Sequence, residues 1–212
     1  MTRSTAWTLV VLAAVAALIA ALVVELGDDP AEGGGQPSAQ VARAHRDADT
    51  PEALAGPRQR ADLQPCPTGA GPGPEKLRGI VIECAGDGSA VDVARAVAGQ
   101  PTVLNLWAYW CGPCAEELPA MAEYQRREGD AVRVITVHQD ENETAALLRL
   151  ADLDVRLPTL QDGQRRVAAA LGVPNVMPAT VVLRADGTVA AILPQAFTSA
   201  DEIAAAVKNA MR

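Results

Sequence analysis

The residues able to do chemistry gather in one stretch, Trp107-Ala108-Tyr109-Trp110-Cys111-Gly112-Pro113-Cys114. Two thiols separated by two residues can form, break and exchange a disulfide. An apolar run over residues 102–107 leads into the pair, and a pattern of helical period over 115–127 leads out. The cysteines therefore stand where a strand becomes a helix. The first turn of a helix has backbone N–H groups without intrahelical partners, and the macrodipole places partial positive charge there. A thiolate at that point is stabilised, so the Cys111 pKa falls from about 8.5 toward ~7 or lower. Cys114, one turn on, is near enough to resolve a mixed disulfide formed at Cys111. Gly112 allows close approach of the backbone, and Pro113 fits a first turn where no N–H is needed.

The same spacing could serve half of a zinc site, which needs a second cysteine pair or histidines at ligand spacing. The other cysteines, Cys66 and Cys84, lie eighteen residues apart, and His45 and His138 stand alone. Redox chemistry is the reading, and no metal is assigned. Cys66 lies in a Pro- and Gly-rich loop and Cys84 ends an apolar run over 79–83. A structural disulfide between them would pin that loop to the sheet and contribute about 3 kcal/mol in the chain-entropy model. A second exchange-active pair and two free thiols are the alternatives.

The 212 residues suffice for one domain of about 150 with appendages. Aromatic residues are only 3% of a chain that is 49% apolar, so the core must be built from Ala, Val and Leu. The net charge of −8 argues against a nucleic-acid partner, which needs a basic patch. Four cysteines in two groups fit an oxidising compartment.

Residues 6–24 carry Thr8 as their one polar side chain, and nineteen residues at 1.5 Å each span about 28 Å, a bilayer core. Arg3 precedes the run and Glu25, Asp28 and Asp29 follow it. We expect residues 1–5 in the cytoplasm, a transmembrane anchor over 6–26, and the remainder outside. A cleaved signal peptide is the alternative, but the run exceeds most signal cores and no clean small-x-small site follows. Residues 27–60 hold Gly33-Gly34-Gly35, Pro30, Pro37, Pro51 and Pro57 without apolar periodicity, which predicts a flexible linker. The folded domain is expected over 61–212.

Within it the pattern predicts a short helix over 91–98, a buried strand over 102–107 and the helix after Cys114, kinked at Pro119. A strand over 131–137, a helix over 141–150, an extended piece over 155–160 and a helix over 164–171 follow. Asp186-Gly187 joins strands 179–183 and 188–193 as an antiparallel hairpin. Ser199 and Glu202 form a capping box for the last helix.

This order resembles the thioredoxin fold, an α/β architecture with a central mixed β-sheet flanked by helices. The resemblance rests on Trp110-Cys111-Gly112-Pro113-Cys114, on Leu104-Asn105-Leu106-Trp107-Ala108, and on the run Val173-Pro174-Asn175-Val176-Met177-Pro178-Ala179-Thr180. Within that fold the chain is most similar to the TlpA/ResA-like branch, on the anchor, the insert at 138–160 and Glu117-Leu118-Pro119. Those are membrane-anchored, extracytoplasmic thiol–disulfide oxidoreductases of bacteria, which reduce apocytochrome c or copper-site cysteines. The resemblance implies Cys111 as nucleophile, Cys114 as resolving thiol and Pro178 as a cis-proline facing the disulfide. The Met177 backbone would pair with a substrate strand, and Trp110 would offer an apolar substrate patch beside Gly112 and Pro113. It further implies protein thiols as substrates, a membrane electron donor of the CcdA type, a location at the bacterial cell membrane, and no cofactor beyond the Cys111–Cys114 disulfide.

The chain departs from ordinary thioredoxins at Asn105, where those carry a buried aspartate. Asparagine cannot titrate, so another base must take the Cys114 proton. Glu117, matching the glutamate of the ResA-like motif, is the candidate, with partial burial raising its pKa. A solvated helix glutamate like Glu116 is the other reading. Trp107 is read as core, Tyr109 as core or surface, and His138 as structural or solvated. Two other functions compete: an exported oxidant, and a module holding Cu(I) on Cys111 and Cys114.

Overall fold

The computed structural model describes residues 49–69, 71 and 73–212; the expected anchor over 6–26 and the linker through residue 48 lie outside them. Among the described residues no helix is long and apolar enough to cross a membrane.

The centre of the sheet is β3 (Thr102–Trp107), buried at all six positions. Its nearly continuous apolar run fits a strand covered on both faces. On one side β4 (Arg133–His138) pairs parallel to β3, and β5 (Thr159–Gln161) parallel to β4. On the other, β6 (Ala179–Leu183) runs antiparallel to β3, with β7 (Val189–Leu193) beyond it. β1 (Val81–Cys84) and β2 (Ala90–Asp92) add antiparallel strands outside β5, giving the order β2-β1-β5-β4-β3-β6-β7. The helices are α1 (Pro51–Ala61), α2 (Val93–Ala96), α3 (Gly112–Glu128), α4 (Glu143–Asp152), α5 (Arg166–Leu171) and α6 (Ala200–Ala210).

Side chains alternate across a strand, so β3 feeds two cores. Val103 and Trp107 pack with Leu118, Met121 and Tyr124 of α3 and Ile203 and Val207 of α6. Leu104 and Leu106 face the opposite layer with Val167 and Leu171 of α5 and Ile82 of β1. Each buried Leu or Val side chain contributes about 1.5–3 kcal/mol of transfer free energy. One face thus holds α3, and with it the cysteines, rigidly against the sheet.

The expected flexible linker over 27–60 ends earlier than the sequence pattern indicates, because residues 51–61 form α1. Thr50 caps it, its Oγ1 accepting the Ala53 N–H at 3.2 Å, and Pro51 opens the first turn. Only Leu54 and Ala61 reach an apolar cluster, with Ala85 and Leu147, so helical periodicity is nearly absent. Polar contacts complete the docking. Arg58 bonds the carboxylates of Glu83 and Glu143 and, through Nε, the Ala85 carbonyl. Asp49 accepts the N–H groups of Glu143 and Thr144 at 3.0 and 3.1 Å, capping α4 from outside.

Other local differences have simple causes. The expected helix over 91–98 begins as β2, because Val91 pairs with Ile82, and α2 starts only after Asp92 accepts the Arg95 N–H at 3.1 Å. The extended piece over 155–160 becomes strand only at Thr159, just beyond Pro158, which has no N–H to give a ladder. The antiparallel hairpin forms, with Gly187 at φ +83° in its turn and Asp186 accepting the Thr188 N–H at 2.9 Å. At α6, Ser199 accepts the Glu202 N–H at 3.3 Å, but the Glu202 carboxylate reaches the Thr198 N–H rather than that of Ser199. α3 continues through Pro119 as one element.

Candidate active site

Cys111 is the N-cap of α3, in extended backbone geometry, and its Sγ lies 3.2 Å from the Cys114 nitrogen, accepting that N–H. The sulfur occupies the place a capping oxygen usually takes. A thiolate there faces an N–H and the positive end of a 17-residue helix, and both favour the anion. A turn closed by the Cys111 N–H to the Ala108 carbonyl at 3.0 Å carries the chain from β3 into the helix. Cys111 and Cys114 are disulfide-bonded, with Cα atoms 5.3 Å apart. Cys111 is 6% exposed and Cys114 is 0% exposed, so an incoming partner meets the first sulfur and not the second.

Around the pair stand the other expected residues. Met177, Tyr109 and Phe197 pack in the same apolar cluster as both cysteines. The Met177–Pro178 peptide bond is cis and Pro178 is buried. Trp110 is 57% exposed, and Val176, the residue before Met177, is 40% exposed. The Trp110 Nε1–H donates to Asp140 Oδ2 at 2.9 Å, which sets the direction of the indole. A Cβ built on Gly112 meets nothing within 4 Å. The fold itself therefore does not require glycine there; only a bound partner could. Trp107 is fully buried core and Tyr109 half-buried.

Glu117 is 0% exposed, unlike exposed Glu116. It lies one turn after Cys114. Its Oε1 accepts the Phe197 N–H at 3.0 Å and its Oε2 accepts from Asn105 Nδ2 at 2.5 Å. Burial pushes the carboxyl up to about 7, against the two hydrogen bonds, which favour the anion. Asn105, standing where thioredoxins have an acid, thus holds the acid that the helix supplies. Asn105 and Thr180 are direct neighbours in the β3–β6 register, and Asn105 Oδ1 and Thr180 Oγ1 are buried without protein partners.

The sequence reading passed over Asp140 and gave His138 no role at the site. His138 is fully buried and its Nε2 accepts the Tyr109 N–H at 3.3 Å. The one signal was position: His138 ends, and Asp140 follows, the strand paired with the strand that ends at the site. Cys66 and Cys84 are bonded, Cα to Cα 5.9 Å, with Cys84 closing β1 far along the sheet from the α3 pair. Among the described residues no group of three or more His, Cys, Asp or Glu side chains is arranged to hold a metal.

The Redoxin family matches residues 65–207, which includes all of this geometry. The chain belongs to the Redoxin family. This Redoxin member is 29% identical over 101 residues to the thiol-disulfide oxidoreductase ResA of Bacillus subtilis (strain 168), covering 47% of this chain and 56% of that protein. It is 38% identical over 69 residues to thioredoxin 1 of Synechococcus elongatus, covering 31% of this chain and 61% of that one. It therefore spans only 56% and 61% of the length of these curated relatives. A secreted Mycobacterium tuberculosis disulfide oxidoreductase homologous to E. coli DsbE matches in structure with TM-score 0.56 and 26% identity, over 64% of this chain and 98% of that one. StoA from Bacillus subtilis shares the fold with TM-score 0.51 at 18% identity, over 63% of this chain and 96% of its own. The fold is thioredoxin-like, a mixed sheet flanked by helices, and the site of this Redoxin member is a disulfide-bonded cysteine pair at the head of α3.

Proposed function

We propose that this Redoxin member is an extracytoplasmic thiol–disulfide oxidoreductase of the ResA/DsbE type. In this reading it is held at the bacterial cell membrane by residues 6–26 and reduces disulfides in exported proteins, such as apocytochrome c or copper-site proteins. The observation that supports it most is the head of α3. There an N–H is aimed at the Cys111 sulfur, and the second sulfur is sealed beneath it.

In the reduced protein the Cys111 thiolate attacks a substrate disulfide. A Cys111–substrate bond forms, the substrate S–S bond breaks, and the departing sulfur takes a proton. Ionised Glu117 then accepts the Cys114 proton, directly or through an intervening group. The Cys114 thiolate attacks Cys111 Sγ and expels the second substrate thiolate. Two electrons have passed to the substrate, and the Cys111–Cys114 disulfide remains. A dithiol donor, taken here as a membrane transporter of the CcdA type, returns two electrons and closes the cycle. Met177 and Pro178 would line up the substrate backbone, with Trp110, Gly112 and Pro113 giving the contact surface. The Cys111–Cys114 pair is the whole redox group, and no cofactor is assigned.

The Gly112-Pro113 pair and the likeness to a thioredoxin favour the reducing direction over the oxidising one. Equilibration with glutathione should give a potential near the ~−270 mV of thioredoxin; a value near the ~−120 mV of a strong oxidant would reverse the assignment. Expression of a Cys114→Ser variant should trap exported cysteine proteins on Cys111, and trapping of cytosolic proteins alone would remove the extracytoplasmic role.

A further inference from the structure

We propose that His138 is a positioning residue for the attacking thiol: its unprotonated Nε2 holds the Tyr109 N–H and so fixes the turn that presents Cys111. The sheet puts it there. β3 and β4 are parallel with Trp107 opposite His138, so His138 closes β4 just where β3 gives way to the active-site turn. Its ring centroid lies 4.9 Å from that of Trp107 and 6.1 Å from that of Tyr109. Nε2 is 3.3 Å from the Tyr109 nitrogen and Nδ1 is 2.8 Å from Gln161 Oε1.

Those two contacts fix the tautomer. A backbone N–H only donates, so Nε2 must be bare, and the one ring hydrogen sits on Nδ1 and donates to Gln161 Oε1. Gln161 Nε2 in turn donates to the Asp140 carbonyl at 2.7 Å, so the chain of bonds is complete. Burial lowers the imidazole pKa from its ordinary value, against the Gln161 bond and the carboxylates of Asp140 and Asp49. The neutral form is the one the site uses.

The effect on Cys111 follows from the turn. Tyr109 is its second residue, and the Cys111 N–H closes it on Ala108. With the Tyr109 N–H tied to β4, the turn cannot swing relative to the sheet, and Cys111 Sγ stays over the Cys114 N–H. Hydrogen bonds weaken steeply with misalignment, so a released turn costs the thiolate its donor.

This inference rests on Cys111 being the attacking thiol, and the test separates the two. The full-length chain is reduced and alkylated with iodoacetamide across pH, as wild type, His138→Leu and His138→Gln. Leucine keeps bulk alone, whereas glutamine keeps an acceptor near the place of Nε2. His138→Leu should raise the Cys111 titration midpoint and slow alkylation at pH 6 about tenfold, as the thiolate fraction falls. His138→Gln should recover most of the rate. Equal rates in wild type and His138→Leu, or equal losses in both variants, would overturn the role of Nε2. A wild-type Cys111 no faster than free cysteine would instead remove the nucleophile assignment, whatever His138 does. Should His138→Leu not fold, nitrogen NMR of the wild-type imidazole decides: a bare Nε2 supports the proposal and a protonated one overturns it.

Discussion

The chain carries the same bond twice in opposite surroundings. Cys111 and Cys114 are three residues apart at a helix N-terminus, where the first sulfur faces an amide N–H. Cys66 and Cys84 are eighteen apart, joining a loop to the end of β1, where the Cys66 sulfur lies 3.4 Å from the Thr159 carbonyl oxygen. A carbonyl dipole opposes an anion on sulfur as surely as an N–H supports one. The Cys111 sulfur, though only 6% exposed, thus meets the end of a peptide group that supports an anion, and the Cys66 sulfur meets the end that opposes one.

The comparison breaks most visibly by substitution. Cys111→Ser should abolish disulfide exchange in an insulin-reduction assay, while a Cys66→Ser/Cys84→Ser double variant should keep nearly all of it. Loss of activity in the double variant at a temperature where it is folded would make the second pair part of the exchange chemistry. The double variant should instead lose about 3 kcal/mol of stability, read by urea denaturation. Brief mild reduction followed by labelling should mark Cys111 well before Cys66 or Cys84, and simultaneous labelling would erase the distinction.

A smaller effect sharpens the picture of the active pair. The Glu117 carboxyl lies at about 7 in the folded protein against 4.5 for the free group. Between those values the folded state binds more protons than the unfolded one, so stability falls as pH rises through that window. Ionised Glu117 then costs on the order of 3 kcal/mol. Glu117→Gln should flatten part of this decline, leaving the share of Glu143, which burial also raises to about 7. The same variant should slow resolution of a mixed disulfide near neutral pH; an unchanged pH–rate profile would take the base role from Glu117. The smallest effect is expected at Gly112→Ala. Stability should change by less than about 1 kcal/mol, because the added methyl meets nothing. Slower capture of a protein substrate, with unchanged reactivity toward a small disulfide, would show that a partner uses the space.

How far the sequence could be read depended on how each residue's environment is built. The placement of Cys111 was legible because a strand pattern and a helix pattern meet there. Glu117 was half legible: residues 114, 117, 118, 121 and 124 share one helix face, and all of them are buried. The pattern gives the face, but not that Asn105 and the Phe197 N–H wait for the carboxylate. His138 was not legible, because its partner depends on which strand lies beside β4. α1 escaped because arginine and aspartate contacts dock it rather than an apolar stripe, and polar docking leaves no period.

That last feature has a practical consequence. A fragment begun at residue 61, where sequence pattern places the domain edge, would lose Leu54 from the cluster of Ala85 and Leu147. It would also strand the buried Glu143 without the Arg58 guanidinium and strip α4 of the Asp49 cap. Asp140, the residue that steers the Trp110 indole, also accepts the N–H of Asn142, the N-cap of α4, at 2.9 Å. Kinetic work on so short a piece would measure a loosened domain and credit its faults to the cysteines; fragments for such work should begin upstream of Asp49.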